Sequence, residues 1–279
     1  MRSGSSSQDP PSFGASRWLR LRAATETQRQ LISIVLLLAK TSSSSAFSVP
    51  RRLPSISSRA ITERCLLLTL YTTPLSANGR KVLALCRFLD LDPIIREINV
   101  YEGAGQHASY LAINPSGTIP FLTDGALALP ESNAILLYLD EAYGHHRANS
   151  ADQKDRARVA SWLFWESAHW QTALIRVLAG TVGHRLLPAA VPEPKSSPDW
   201  DDAELVPVLQ KLDAHLRSRA FMVGNAITIA DLSIAGMTTY FDICDFPAHR
   251  YASIARWCES LNEHPAWRET ASPLWSRQK

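Results

Sequence analysis

Between Asn114 and Leu139 the chain reads NPSGTIPFLTDGALALPESNAILLYL. This stretch limits the fold more than any other. Ile119–Thr123 and Ala126–Leu129 are short apolar runs joined by Asp124-Gly125. Asp-Gly is a favoured two-residue hairpin turn because both central positions take positive φ. The spacing predicts an antiparallel hairpin, followed by a helix with Ile135, Leu136 and Leu139 on one face. Upstream, LLLTLY (Leu66–Tyr71) is an apolar run that stops at Thr72-Thr73-Pro74, the pattern of a buried strand. Val82, Leu85, Cys86 and Leu89 follow at helical spacing, with Arg80, Lys81 and Arg87 off that stripe. PIIREINV (Pro93–Val100) reads as a second strand, and a loop with a short helix leads to the hairpin.

The order is therefore strand, helix, strand, helix, hairpin, helix. A parallel βαβ unit joined to an antiparallel hairpin makes a mixed four-stranded sheet covered by helices, a thioredoxin-like arrangement expected over residues 65–145. GHHRANSAD (Gly144–Asp152) is a polar linker. Residues 152–272 are expected to be all helical. ADQKDRARVASWLFWESAHWQTALIRVLA reads as one long helix, PAAVPEPKSSPDW (Pro188–Trp200) as a break, and DDAELVPVLQKLDAHL as a second helix. In NAITIADLSIAGMTTYF, Thr228 with Asp231 is a capping-box pattern and Ile227 with Leu232 a hydrophobic staple, so Asp231 is expected to be structural.

Composition matters at the N-terminus. Residues 1–62 hold nine Lys/Arg against two acids, a net +7; the whole chain is +3, which leaves −4 for the rest. The folded part is mildly acidic and offers no basic surface for nucleic acid. Cys65, Cys86, Cys244 and Cys258 stand singly, without the spacing of a metal site or a disulfide framework. LISIVLLLA (Leu31–Ala39) is too short to span a bilayer but suits a signal-peptide core. Small residues to Ala46, then Phe47 and an acid-free Ser/Arg segment, follow it. This order resembles the bipartite leaders of algae with secondary plastids. It implies import into a plastid and a mature form without a membrane anchor; a mitochondrial presequence or a cytoplasmic location are the alternatives.

By themselves the polar residues at the element ends have ordinary explanations. Ser76, in PLSANGRK, is placed to cap the first helix. Glu131 and Ser132 suit a helix N-terminus, one by charge and one by capping. Pro120 suits the start of an edge strand. Trp162, Trp165, Glu166 and His169 share neighbouring helical faces, and aromatics so spaced are usually core. Glu166 and His169 lack the further ligands a metal needs.

Taken together, Tyr71-TTPLSANGRKV, NPSGTIPFL and LPESNAILLYLDE, in this order and spacing, resemble the glutathione-binding domain of cytosolic-type glutathione transferases. The resemblance runs over about residues 65–270 and is closest to the serine-type classes. It implies a cis Pro120, with the backbone of Thr118 and Ile119 pairing with the cysteinyl unit of glutathione. It implies that Ser132 and Glu131 hold the γ-glutamyl carboxylate and ammonium. Ser76 would donate a hydrogen bond to the glutathione sulfur and favour the thiolate. Arg80 is left as a helix-start charge and Tyr71 as packing. The sequence departs from the family pattern at Thr118, where Lys or Gln is common. It departs again at His107, two residues out of register with a histidine that contacts the glycyl carboxylate. The helix with Trp162, Trp165, Glu166 and His169 would wall the electrophile site and share a homodimer interface. The implied activity is glutathione transfer to a small electrophile or reduction of a hydroperoxide, with glutathione as co-substrate and no metal. A non-catalytic interaction module of the same fold is one alternative. A glutathione-dependent thiol-disulfide reductase is another, disfavoured by serine at position 76.

Overall fold

The structure is a computed structural model and describes residues 68–275. The leader expected over residues 1–62, and the first residues of the first strand, lie outside the described residues.

Four strands form one sheet in the order β2-β1-β3-β4: β1 (Leu68–Thr72), β2 (Ile94–Glu97), β3 (Phe121–Asp124) and β4 (Leu127–Leu129). β1 runs parallel to β2 and antiparallel to β3, and β3 pairs antiparallel with β4. This is the mixed thioredoxin-like sheet that the pattern requires. β1 is central and fully buries Leu68, Leu70 and Thr72 on one face. Tyr71 points to the other face, its ring 5.8 Å from Tyr110 and 5.9 Å from Phe121, so its role is packing. The hairpin turn differs from the expectation by one residue. Asp124 pairs with Leu127, so Gly125 and Ala126 are the central pair, and of these only Gly125 has positive φ, +57°. Glycine at the first central position alone is the requirement of the second favoured hairpin turn.

Helices α1 (Ala77–Phe88) and α3 (Ser132–Leu139) pack together beneath the sheet, and α2 (Ala108–Leu111) lies in the connection after β2. The helical part holds α4 (Gln153–Trp165), α5 (Gln171–Leu186), α6 (Leu205–Leu216), α7 (Ile229–Thr238), α8 (Ala252–Glu263) and α9 (Pro265–Arg268). The single long helix expected over 151–179 is instead two. α4 passes through a π-helical turn at Glu166–Trp170 into α5, which continues through Gly180 and Gly183 to Leu186.

α7 is buried along its whole length from Ile229 to Met237. Asp231 explains its start. That carboxylate accepts from the backbone N–H of Thr228 and of Met222 (both 2.9 Å), the Thr228 hydroxyl (2.8 Å) and Trp257 Nε1 (3.0 Å). Burial pushes its pKa up, and these donors oppose that shift.

α1 corrects the amphipathic expectation. Its hydrophobic residues Val82 and Leu85 share the core with Leu68, Leu70 and Leu122 of the sheet, but its opposite face is not solvated: it packs on α7. Arg80 and Lys81 are buried there, 5 % and 0 % exposed. Arg80 is thus a tie between the two parts of the fold, not a surface charge. It donates to Thr239 Oγ1 (3.0 Å) and Trp267 O (3.1 Å), and its guanidinium lies 3.9 Å from the centre of the Trp267 ring. Burial lowers its pKa to about 10. Lys81 Nζ donates to Glu166 Oε2 (3.3 Å) and Asn133 Oδ1 (3.0 Å), and burial lowers its pKa as well.

Candidate functional site

The loop before β3 is built to present Ile119. Asn114, 2 % exposed, donates Nδ2 to the Thr118 carbonyl at 2.8 Å, and the Tyr110 hydroxyl donates to the same carbonyl at 2.7 Å. Asn114 Oδ1 accepts from the Ser116 hydroxyl and N–H. Gly117 has φ +65°, and a Cβ there would lie 2.7 Å from Gly105 O, so glycine alone fits. The chain leaves this loop through a cis Ile119–Pro120 peptide bond, as the resemblance implies. The N–H and C=O of Ile119 have no hydrogen-bond partner among the described residues.

Across from it α3 begins. Glu131 stands at the helix start as expected, but the expectation that Ser132 caps this helix is not met. Glu131 occupies the N-cap position with φ +68°, and its side chain makes no capping bond. Ser132 is the first helical residue and caps nothing. Helix α3 therefore starts with the amides of Ser132, Asn133 and Ala134 lacking backbone acceptors. A non-glycine residue held at positive φ stores strain of about 1–3 kcal/mol, and such residues cluster at ligand sites. Ile119, Pro120, Thr118, Glu131 and Ser132 line one cavity of about 180 Å³, together with Asn78. Five residues chosen from sequence thus meet in one concavity whose floor is an uncapped helix end, which favours a carboxylate. His107 does not join them. It stands exposed before α2 and lines neither this cavity nor the next.

Ser76 is the N-cap of α1, 5 % exposed, and its Oγ accepts the Gly79 N–H at 3.0 Å. That bond occupies a lone pair. The hydroxyl proton has no acceptor among the described residues, so capping and donation to a ligand are compatible. Gly79 is required by this packing: a Cβ would fall 2.0 Å from Thr72 Oγ1.

Ser76 opens on a second cavity of about 250 Å³ whose walls are largely apolar. Ile175, Leu178, Val182 and Leu186 of α5 line it, with Met237, Tyr240 and Tyr101 opposite. Asn78 borders both cavities, and its Oδ1 is buried with no partner among the described residues.

This wall corrects the expectation for the WLFWESAHW segment. None of Trp162, Trp165, Glu166 and His169 lines the cavity at Ser76. Trp165 is core, its ring 5.9 Å from that of Trp170; Trp162 packs 4.5 Å from the ring of His215. Glu166 is 1 % exposed and paired to Lys81, and His169 is exposed on the π-turn. The residues missed are Asn78, Tyr101, Tyr240 and the α5 face. The α5 face carried a usable signal, an apolar stripe at 175, 178, 182 and 186. Among the described residues, no three His, Cys, Asp or Glu side chains gather in a metal-binding group.

Residues 70–148 match the glutathione S-transferase N-terminal domain, and residues 188–269 the C-terminal domain. The chain belongs to the glutathione S-transferase family. Three solved structures illustrate the likeness. A possible glutathione S-transferase from Rhodopseudomonas palustris is 28 % identical, with 72 % of this chain and 95 % of that one covered and a TM-score of 0.57. Glutathione transferase F7 from Populus trichocarpa is 26 % identical, with 73 % and 97 % covered and a TM-score of 0.64. The Bombyx mori glutathione transferase BmGSTD1 is 25 % identical, with 75 % and 94 % covered and a TM-score of 0.65. Members of this transferase family use glutathione as co-substrate with an electrophilic second substrate, and typically dimerise. The smaller cavity and the uncapped α3 lie within the N-terminal match, whereas the α5 wall of the apolar cavity falls between the two matched stretches.

Proposed function

We propose that this chain is a serine-type glutathione transferase. Glutathione lies in the smaller cavity, its cysteinyl backbone pairing with Ile119 and its γ-glutamyl carboxylate on the free amides of α3. Glu131 takes the ammonium group, and Thr118 flanks the peptide. The sulfur then reaches Ser76, at the positive end of α1. One observation carries the assignment: the Ser76 hydroxyl is held by Gly79 yet keeps its own proton free. A hydrogen bond to the sulfur, with the field of the helix N-terminus, favours thiolate over a thiol whose free pKa is about 8.5. Ser76 donates and forms no covalent bond.

The apolar cavity takes the electrophile. The thiolate attacks the electrophilic carbon, a carbon–sulfur bond forms, and the leaving group departs with its electron pair. With a hydroperoxide, the thiolate attacks the terminal oxygen, the O–O bond breaks, and the alkoxide takes a proton. The resulting sulfenic acid condenses with a second glutathione to the disulfide and water. Rate enhancement comes from proximity and from the larger thiolate fraction.

Retention on immobilised glutathione and turnover of a chromogenic aryl halide test the reading together. Retention with turnover that falls in Ser76→Ala is expected. Retention without turnover of any of several electrophiles would refute catalysis and leave a binding module.

We extend the proposal to assembly and location. Phe164 on α4 is 76 % exposed, and Leu137 on α3 is 39 % exposed, which supports burial against a second copy; sedimentation as a monomer at micromolar concentration would contradict it. The leader composition supports plastid import. A reporter fused to residues 1–62 that stays cytosolic would exclude it.

A further inference from the structure

We propose that Tyr240 is a positioning residue for Ser76, an inference that rests on the role of Ser76 proposed above. Tyr240 follows the end of α7 and is 6 % exposed. Its hydroxyl accepts the Ala77 N–H at 3.3 Å and donates to the Leu75 carbonyl at 3.1 Å. The residues on both sides of Ser76 are thus tied to one oxygen atom, more than 160 positions away in sequence.

The rest of the Ser76 frame is also occupied. Its N–H donates to Thr73 O at 3.0 Å, and its C=O accepts the Arg80 N–H at 2.8 Å. Its Oγ accepts from Gly79. With every other polar atom engaged, only the hydroxyl proton is free to aim. Where it aims follows from where the Leu75–Ala77 backbone is held, and Tyr240 is the side chain that grips that backbone from the helical domain. The grip is close because α7 comes down on α1 at Gly236, where a Cβ would lie 3.3 Å from Ala77 O. Burial raises the pKa of the Tyr240 phenol, so it stays protonated and keeps donating; Tyr101 and Cys244 are the titratable groups that act on it. Tyr101, whose own pKa burial also raises, lines the same cavity.

Tyr240→Phe removes one oxygen and keeps the ring. The expected result is a rise in the apparent thiol pKa seen in the pH profile of kcat/KM. At neutral pH kcat/KM falls about 10-fold, while KM for glutathione stays within about twofold. The decisive comparison is the same change in the Ser76→Ala background. If Tyr240 acts through Ser76, the second substitution has no further effect there. An unshifted profile in Tyr240→Phe, or equal losses in both backgrounds, overturns the inference. Should Ser76→Ala itself leave the profile unmoved, the role proposed for Ser76 fails first, and this inference with it. If Tyr240→Phe does not fold by circular dichroism, 3,5-difluorotyrosine at position 240 keeps the ring and the oxygen while strengthening the donor. A shifted profile that vanishes in the Ser76→Ala background supports the proposal, and no shift in either background overturns it.

Discussion

On the proposed reading Ser76 holds two jobs in one oxygen, and substitution can separate them. Its Oγ caps α1 through the Gly79 N–H at 3.0 Å, and its hydroxyl proton is free for the glutathione sulfur. Ser76→Ala removes both functions. Loss of the cap costs about 0.5–2 kcal/mol of stability. A hydrogen bond to a charged acceptor contributes about 1.5–3 kcal/mol. At about 1.36 kcal/mol per pKa unit, its loss raises the bound thiol pKa by about one to two units. The sign follows from which form is favoured. The wild-type advantage is full below the lowered pKa, shrinks as pH rises from there toward the free value of about 8.5, and is gone above it. At pH 7, Ser76→Ala should therefore turn over about 8- to 25-fold more slowly. At pH 9.5, where the thiol of about pKa 8.5 ionises unaided, the two rates should converge. Ser76→Asp keeps an acceptor for Gly79 but brings a carboxylate to the sulfur. It should match wild-type stability in a urea titration and lose more activity than the alanine variant. Overlapping pH profiles for wild type and Ser76→Ala, or full activity in Ser76→Asp, would show that the hydroxyl does no more than cap.

Three further expectations follow from the same geometry. Asp231→Ala orphans the N–H groups of Met222 and Thr228 and Trp257 Nε1, each worth about 1–3 kcal/mol when buried and unpaired. Loss of less than about 1 kcal/mol in urea denaturation would contradict that accounting. Lys81→Met leaves Glu166 charged and buried, and should destabilise by about 3–5 kcal/mol, with most of that loss recovered in Lys81→Met/Glu166→Gln. Val182→Trp fills much of the 250 Å³ cavity, so turnover of a bulky electrophile should drop while KM for glutathione holds; an unchanged rate would place the electrophile elsewhere.

The smaller cavity, lined by Thr118, Ile119, Pro120, Glu131 and Ser132, was legible in the sequence because its determinants are local. Pro120 and Glu131-Ser132 sit at element boundaries, and the hairpin between them sets their separation within about a dozen residues of chain. Ser76 was legible for the same reason, as the cap of the helix that follows it. The apolar cavity depends on how helices pack. The apolar stripe of α5 at 175, 178, 182 and 186 is a local pattern, but that it turns toward Ser76 is decided by the contacts of α5 with α6 and α7. The Trp162–Trp170 cluster drew attention by composition, yet large aromatics so spaced fill a core, and Trp165 and Trp170 do so. The burial of Arg80 and Lys81 was not legible because a charge beside an apolar stripe ordinarily faces water. Their burial becomes visible only with Glu166, Asn133, Thr239 and Trp267 in place.

Those buried charges bear directly on the chemistry. Asn133 follows Ser132, and its side chain links Lys81 Nζ (3.0 Å), Glu166 Oε2 (2.8 Å) and the Ser233 hydroxyl (2.7 Å). Asn133 also donates to Leu163 O of α4, so the first turn of α3 is fastened to α4, the π-turn after it and α7, as the start of α1 is fastened to Tyr240. Helix ends stabilise an anion well only when their amides are already fixed where the charge will sit. An apolar joint could be as stable as this ionic one, and our hypothesis is that the polar joint serves to fix the register between the two parts of the fold. We therefore expect Lys81→Met/Glu166→Gln to regain stability without regaining glutathione affinity, because the joint would be repacked while Asn133 lost Lys81 and faced a neutral amide oxygen in place of the carboxylate. Restored affinity together with restored stability would mean that the joint contributes packing alone.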